Sequence, residues 1–408
     1  MQIKNTTGNK KAWSRSILTL SVLALVGAGM LVSCDDNTDP TPEEPQVQTA
    51  PDFYFGADLS YVNQILDHGG VYKDNDQTKS PYQIFKDHGA NLARFRLWHT
   101  PTWNKEVYGT EGTQQYSNLA DVEKGMRLAK EQGQTLLLDF HYSDTWTDPG
   151  QQDVPAAWKN IRDIAVLKDS VYQYTLRTLT YLNQKGLLPE LVQIGNETNG
   201  GMLYTEAPEG FPVATIAQVS RLGEVLNSSI KAVREISAQA SVKPKVILHV
   251  ADPKNVDYWF TKVTGEGNVS DFDMIGFSYY PLWHTTVPLA QISDYVSAWK
   301  TKFNKDVIVL ETAYPWTTQW NDNYVNQLGS QAPVAGYPFT QAGQLNFMKT
   351  LTQEVKAGGG KGIVYWEPAW ITSNMIDQWG TGSSWENAAL FDFQGNAILG
   401  MDYMKATY

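Results

Sequence analysis

The feature that most constrains the fold is a regular alternation of strand-like and helix-like segments, which runs from Phe53 almost to the C-terminus. Eight short apolar runs, rich in β-branched and aromatic residues, recur along this stretch. Runs that are apolar throughout are typical of parallel strands buried on both faces. The runs begin at Phe53, Asn91, Thr135, Leu191, Lys245, Met274, Val307 and Gly362.

The segments between these runs carry apolar residues at helical spacing. In Leu119–Gln134 they fall on one face, and Gly133 stands where a helix end is capped. The same pattern recurs in Val171–Leu182 and Val219–Val233. Eightfold strand–helix alternation predicts one α/β catalytic domain, a (β/α)8 TIM barrel. The alternative is an open doubly wound sheet, but the chain lacks a glycine-rich phosphate loop after the first strand.

The first 51 residues are expected to lie outside this domain. Residues 1–33 combine basic side chains with the apolar run Ser16–Ser33, the layout of a secretory signal peptide. The run ends in LVSC, which resembles a bacterial lipobox in which Cys34 is lipidated. Residues 34–51 are acidic and Pro-rich, which predicts a flexible tether before a domain at 52–408. The alternative is an uncleaved membrane anchor in which Cys34 has no role.

These features predict an exported lipoprotein of the outer membrane, held there by a lipid on Cys34. Acidic residues directly behind Cys34 resemble a signal that sends some bacterial lipoproteins to the cell surface. Cys34 is the only cysteine, so the core must supply the stability without an intramolecular disulfide. The net charge of −11, with no basic run after Arg15, argues against a nucleic-acid partner. We expect a monomer.

Polar residues follow all eight runs, and the C-terminal strand ends carry the chemistry in barrels of this kind. Glu197 follows the fourth run and Glu311 the seventh, so their side chains can face each other across the barrel mouth. Two carboxyl groups that flank an anomeric carbon cleave glycosidic bonds. Asn196, beside Glu197, can bind the neighbouring sugar hydroxyl. The alternative for each Glu is a structural carboxylate bonded to a neighbouring strand.

Seven motifs follow one another between Phe53 and Phe393: GADLS, ARFRLW, DFHYSDTWTDPG, IGNET, DFDMIGFSYYP, ETAYPW and YWEPAW. With these motifs, in this order, the chain resembles the endo-β-1,4-galactanases of glycoside hydrolase family 53, a clan A family of retaining enzymes. The resemblance implies double-displacement hydrolysis of internal β-1,4-galactosidic bonds in galactan or arabinogalactan side chains of pectin, with no cofactor required for the chemistry.

The resemblance also implies roles for individual residues. Glu197 would be the general acid/base and Glu311 the nucleophile, with Asn196 placing the sugar 2-hydroxyl. Arg94 would keep Glu311 ionised, a role compatible with a structural salt bridge, and Tyr280 would hydrogen bond to the nucleophile. Other residues at strand ends are candidates for substrate contact or support, with burial in the barrel as the alternative: His141, Asp58, Asp252, Trp146, Trp316, Trp366 and Trp370.

A calcium loop that some bacterial members of the family carry after the seventh strand is only half present. The matching stretch WNDNYVN keeps Asp322 and Asn326 but has Trp320 and Tyr324 at the other two ligand positions. Because calcium needs six to eight oxygen ligands, this loss puts a structural calcium ion in doubt.

Two other functions stay open. A clan A enzyme can instead cleave another β-1,4-glycan, mannan or glucan, because these substrates differ at single hydroxyl groups that strand-end residues do not reveal. The chain can also be a surface glycan-binding protein that has lost catalysis. The presence of both Glu197 and Glu311 argues against this last alternative.

Overall fold

A computed structural model describes residues 50–109 and 115–408 of the chain. Eight parallel strands form a closed barrel in which each strand pairs with its neighbours along the chain and the eighth pairs with the first. The predicted (β/α)8 fold is confirmed, and each predicted run contains one strand. The strands are β1 Tyr54–Asp58, β2 Leu92–Leu97, β3 Thr135–Phe140, β4 Leu191–Ile194, β5 Lys245–Ala251, β6 Met274–Ser278, β7 Asp306–Glu311 and β8 Gly362–Tyr365.

The α-helices lie between and around the strands, and the three predicted ones are α4, α5 and α6. Asn118 caps α4 by accepting a hydrogen bond from the Asp121 N–H. Gly133 and Gly186 follow α4 and α5 with φ angles of 71° and 68°, a backbone region that favours glycine. The α-helices are α1 Val62–Asp67, α2 Pro81–Asp87, α3 Trp103–Tyr108, α4 Leu119–Glu131, α5 Ile164–Gln184, α6 Val219–Gln239, α7 Pro253–Thr264, α8 Ile292–Phe303 and α9 Gln341–Ala357.

The barrel interior has an apolar lower part and a polar upper part. Successive side chains of a strand point to opposite faces, so every second residue points inward. The apolar inward residues form one cluster: Tyr54, Leu92, Leu137, Leu191, Ile247, Met274, Ile308, Leu310 and Val364. The polar inward residues of the upper part are all buried: Asp58, Arg94, Asp139, Gln193, His249 and Ser278. An apolar layer of side chains therefore fills the lower barrel, and a buried polar layer lies between it and the barrel mouth.

A register shift between β6 and β7 brings Glu311 into this mouth. Phe277 pairs with Val309, but Ser278 pairs with Glu311 and not with Leu310. Leu310 already points into the barrel, so strict alternation would turn Glu311 outward. An extra residue of this kind re-aims the side chain that follows it. The shift therefore sets Glu311 beside the inward-pointing Ser278.

Backbone strain marks four of the eight strand ends. Tyr142, Glu197, Asp252 and Glu367 follow β3, β4, β5 and β8 with φ angles between 43° and 63°. Side chains other than glycine adopt such angles at a cost, and strained residues cluster at functional sites.

The prediction of a signal peptide, of lipidation at Cys34 and of most of the tether falls on residues outside the described ranges. Among the helices of residues 50–109 and 115–408, none is both long enough and apolar enough to cross a membrane.

Candidate active site

A cleft of about 560 Å³ opens at the C-terminal ends of the strands. Glu197 and Glu311 lie in its floor with Asn196 and Tyr280, and the two glutamates are only 8% and 5% exposed. Six indole rings form much of the remaining surface, which gives the cleft flat apolar faces between polar groups. These rings belong to Trp146, Trp283, Trp366, Trp370, Trp379 and Trp385.

The guanidinium group of Arg94 links the strands below the cleft. Its NH1 atom lies 2.7 Å from Asp58 Oδ2 and 2.8 Å from Glu311 Oε1. Its NH2 atom donates to Asp139 Oδ2 at 2.8 Å and to Asn196 Oδ1 at 2.9 Å. Burial disfavours the charge of Arg94, but the three carboxylates outweigh burial and raise its pKa. Arg94 is therefore a permanent cation held between β1, β3 and β7.

Two groups stabilise the ionised form of Glu311. Arg94 contacts Oε1, and the Tyr280 hydroxyl donates to Oε2 at 3.0 Å. Burial is the largest influence and raises the pKa of Glu311 to about 7, with the charges of Asp58 and Asp139 acting in the same direction; Arg94 and Tyr280 oppose the rise. Glu311 is thus a buried carboxyl group whose charge is specifically compensated.

No cation of residues 50–109 and 115–408 lies at contact distance from the carboxyl group of Glu197. Its Oε1 atom is hydrogen bonded to the Ser278 hydroxyl at 2.5 Å. Burial and the negative charge of Glu311 raise the pKa of Glu197 well above its ordinary value. Two carboxylates at one site do not both ionise cheaply, and Arg94 favours Glu311 as the charged one. This asymmetry gives one proton donor and one carboxylate, which is the pairing that glycoside hydrolysis requires.

A second buried arginine supports an aromatic face of the cleft. Arg96 pairs with Glu367, both almost fully buried, and so joins β2 to the end of β8. Its guanidinium carbon lies 4.1 Å from the ring centroid of Tyr61 and 4.0 Å from that of Trp146. Cation–π contacts of this kind fix both rings. Glu367 therefore holds Arg96 in place, and Arg96 in turn fixes the ring of Trp146 that lines the cleft.

The structure brings some predicted residues to the cleft and places others elsewhere. His141 is buried below the surface, with Nδ1 accepting from the Thr147 N–H and Nε2 lying 3.1 Å from Asp139 Oδ2. Asp58 is buried against Arg94. Asp252 caps α7 and pairs with Lys254 at 2.8 Å.

The predicted tryptophans likewise divide into two groups. Trp146, Trp366 and Trp370 line the cleft, as expected for rings that contact a sugar. The ring of Trp316 instead packs on the ring of Phe393, with 4.9 Å between the two ring centroids, and its Nε1 donates to the Glu386 carbonyl. Trp316 therefore serves the packing of the loops after β7 and β8.

Several residues at the site were not predicted from the sequence. Asp139, Gln193 and Ser278 lie within β3, β4 and β6, and the sequence search did not single them out. The period-two alternation of inward residues was the signal that points to them. Trp379 and Trp385 lie in the long loop after β8, where no periodic pattern marks their direction.

Asp322 and Asn326, the two residues kept from the calcium loop, lie in the loop after β7. Both carboxylate oxygens of Asp322 accept backbone N–H groups, from Tyr324 at 2.7 Å and from Ser383 at 2.8 Å. Asn326 is buried and supplies a single carbonyl oxygen. Within the described ranges, no three or more His, Cys, Asp or Glu side chains come together as a metal site. Through Ser383, Asp322 joins the loop after β7 to the loop after β8.

Comparison with known proteins decides the family. A sequence profile of glycosyl hydrolase family 53 matches residues 54–404. The chain belongs to this family. It is 42% identical over 386 residues to an arabinogalactan endo-β-1,4-galactanase of Cellvibrio japonicus, covering 94% of this chain and 97% of that protein. It is 30% identical over 385 residues to an endo-β-1,4-galactanase of Bacillus subtilis, covering 85% and 84%.

Solved structures of family 53 share the same fold. The GH53 catalytic domain of Ignisphaera aggregans superposes with a TM-score of 0.76 at 32% identity, over 89% of this chain and 98% of that one. A structure from a study of two fungal β-1,4-galactanases gives a TM-score of 0.71 at 28% identity, over 87% and 99%. The family assignment thus covers the whole barrel.

The buried pair of Arg96 and Glu367 provides a stability test. The Glu367→Gln variant leaves the charge of Arg96 buried without its counter-ion, so we expect the free energy of unfolding to fall by about 3–5 kcal/mol. The matched control is Glu224→Gln, which breaks the exposed pair of Lys168 and Glu224 and should cost about 0–1 kcal/mol. Urea denaturation followed by tryptophan fluorescence measures both. Equal losses would contradict the assignment of Arg96 to a charge-dependent core contact.

Proposed function

We propose that this family 53 protein is an arabinogalactan endo-β-1,4-galactanase that acts by retaining double displacement. The observation that carries the mechanism is the unequal environment of the two cleft carboxyls. Glu311 is compensated by Arg94 and Tyr280, while Glu197 is buried beside a negative charge. The choice of galactan as substrate is supported by the names of the relatives from Cellvibrio japonicus and Bacillus subtilis.

In the first step, ionised Glu311 attacks the anomeric carbon and Glu197 gives its proton to the leaving glycosidic oxygen. The carbon–oxygen bond to the leaving sugar breaks, and an ester bond forms between Glu311 and the retained sugar. Asn196 donates its amide to the Thr147 carbonyl at 2.7 Å and accepts from Arg94, so its orientation is fixed. It stands at the cleft floor where the 2-hydroxyl of the reacting sugar would lie.

In the second step, ionised Glu197 takes a proton from water, and the water oxygen attacks the anomeric carbon and releases Glu311. The ester has no charge, so the repulsion that raised the pKa of Glu197 disappears when the intermediate forms. Glu197 therefore loses affinity for its proton when the leaving group needs it, and regains affinity when Glu311 is ionised again.

Retention requires two carboxyls roughly 5–5.5 Å apart. Ser278 and Glu311 are register partners on neighbouring strands, which are spaced at about 4.8 Å. Because Glu197 touches the Ser278 hydroxyl, these contacts favour the closely spaced arrangement. The exposed rings of Trp283 and Trp379, at 41% and 58%, leave the cleft accessible along its length, which favours cleavage within a chain.

The location of the protein is part of the proposal. Residues 1–33 would direct export, Cys34 would carry the lipid that holds the protein in the outer membrane, and residues 34–51 would tether the catalytic domain at the cell surface. The basic and apolar composition before LVSC and the acidic, Pro-rich composition after it support this arrangement.

Product analysis tests the substrate. We expect the protein to release oligosaccharides from β-1,4-galactan and to leave β-1,4-mannan and β-1,4-glucan intact. Because cleavage is internal, the viscosity of galactan should fall well before much reducing sugar appears. Cleavage of mannan with galactan untouched would reject the galactanase assignment and keep the barrel hydrolase.

The stereochemistry tests the mechanism. Proton NMR of the first product should show the β-anomer before mutarotation, and an initial α-anomer would establish inversion. Glu311→Ala and Glu197→Ala should each lose several orders of magnitude in kcat on galactan. Added azide should restore turnover as β-galactosyl azide only in Glu197→Ala on an activated aryl galactoside, since that variant keeps the nucleophile.

The Tyr280 hydroxyl offers a test of the charge on Glu311. Activity requires Glu311 ionised, so it rises with pH through the pKa of Glu311. Tyr280→Phe removes a donor to the carboxylate and should raise that pKa, moving the acidic limb of kcat/KM upward by about one pH unit. Tyr279→Phe is the matched control, since that hydroxyl donates to the Val287 carbonyl. An unmoved acidic limb in Tyr280→Phe would contradict the role of Tyr280.

Fractionation tests the anchor. Expressed in a bacterial host with its own leader, the full chain should sediment with outer membranes and partition into detergent. Cys34→Ala should abolish lipid attachment, while Ser33→Ala should preserve it. Protease access on intact cells then reports on surface exposure, and a detergent-soluble, lipid-modified Cys34→Ala variant would overturn the assignment of Cys34.

A further inference from the structure

A buried hydrogen-bonded chain leads away from Glu197 on the side opposite to the cleft. The Ser278 hydroxyl lies 2.5 Å from Glu197 Oε1 and 2.9 Å from His249 Nε2. Both Ser278 and His249 are fully buried. Because a hydroxyl carries one proton, Ser278 cannot donate to both neighbours. The direction in which it donates therefore depends on which ring nitrogen of His249 carries hydrogen.

The surroundings of His249 Nδ1 decide between the two tautomers. Nδ1 lies 2.9 Å from Asn196 Oδ1. The amide orientation of Asn196 is fixed, because Arg94 donates to Oδ1 and Nδ2 donates to the Thr147 carbonyl. An unprotonated Nδ1 would therefore place two lone pairs 2.9 Å apart. A hydrogen on Nδ1 turns this contact into a hydrogen bond.

Two hydrogen-bond donors also lie near Nδ1, the side-chain amide of Gln193 and the backbone N–H of Glu197. They could donate to Nδ1 only if it carried no hydrogen. Gln193 Nε2 lies 3.0 Å from Nδ1, but its two hydrogens have other acceptors, the Gly195 carbonyl at 3.1 Å and Asn196 Oδ1 at 3.0 Å. The Glu197 N–H lies 3.3 Å from Nδ1. The Nδ1–H tautomer gives up both contacts, so the Glu197 N–H loses this acceptor while Gln193 keeps two others. The other tautomer forces a close repulsion between Nδ1 and Asn196 Oδ1.

We propose that His249 and Ser278 are positioning residues that hold Glu197 in its proton-donating form, an inference that rests on the proposed function. His249 Nδ1–H donates to Asn196, so Nε2 accepts the Ser278 hydroxyl, and the Ser278 oxygen in turn accepts the proton of Glu197. Ionised Glu197 must compete with His249 for the single proton of Ser278. The chain therefore favours the acid before bond cleavage and the proton-accepting base afterwards.

His249 stays neutral in this arrangement. Burial lowers the pKa of His249 well below its ordinary value, and the positive charge of Arg94 acts in the same direction. Proton transfer from Glu197 through Ser278 to Nε2 would create a buried imidazolium beside Arg94, so the proton remains on Glu197. The other charged or titratable groups that face Glu197 are Glu311 on β7, Arg94 on β2, Asp148 after β3 and Tyr280 after β6.

The first test is spectroscopic and needs no change at the site. Long-range ¹⁵N–¹H correlation of the wild-type protein, with the His249 signals assigned by their loss in His249→Gln, reports which ring nitrogen is protonated. We expect Nδ1–H at neutral pH. An Nε2–H tautomer would reverse the chain, with Ser278 donating to ionised Glu197, and would overturn the proposal.

The second test is kinetic and separates the acid step from general damage. In His249→Ala the Ser278 hydroxyl is free to donate to the carboxylate, which lowers the pKa of Glu197. The alkaline limb of kcat/KM should then move to lower pH by about one unit. An upward shift, or no shift, would contradict the proposed direction. Ser278→Thr keeps the hydroxyl, so the alkaline limb of its kcat/KM profile should stay at the wild-type pH.

A substrate comparison completes the test. The loss of kcat/KM in His249→Ala and Ser278→Ala should be at least tenfold larger on galactan than on an aryl galactoside with a good leaving group, which needs little protonation. Equal losses would indicate a merely structural role. If the wild-type protein leaves galactan uncut, the proposed function fails, whereas the tautomer of His249 is still measured independently of it.

Discussion

The buried guanidinium group of Arg94 is the interaction on which the rest of the site depends. It contacts side chains from β1, β3 and β7 as well as Asn196 after β4. Burial of a charged guanidinium group costs free energy, and several hydrogen-bonded counter-ions are needed to offset that cost. Arg94 therefore links the strands of the upper barrel and also stabilises the negative charge on Glu311.

The two cleft carboxyls differ because the barrel distributes its polar groups unevenly. Arg94 and Tyr280 both contact the carboxylate of Glu311, whereas Glu197 contacts the Ser278 hydroxyl, which also contacts His249. The register shift at Ser278 makes this possible, because it sets Glu311 and Ser278 side by side. One irregular residue in β7 thus brings two carboxyl groups with unequal surroundings to one mouth.

The sequence was sufficient to predict the barrel and the two glutamates, because both depend on local signals. Near-continuous apolar runs identify buried strands, and polar residues just after them identify the mouth. The same search did not single out Ser278, the last residue of β6, because its sixth candidate was Tyr280 two residues later. It also could not distinguish Trp316, which packs on Phe393, from Trp366, which faces the cleft. The direction of a loop side chain depends on distant contacts that no short pattern encodes.

The polar layer holds more negative than positive charge. Asp58, Asp139 and Glu311 all contact Arg94, and the two aspartates raise the pKa of Glu311. This surplus makes the ionised form of Glu311 costly inside the barrel. A descendant that exchanged Glu311 for a neutral residue would lose this charge, while Asp58 and Asp139 would still compensate Arg94. A sugar-binding protein without activity is therefore separated from this barrel by a single substitution that leaves Arg94 with two counter-ions.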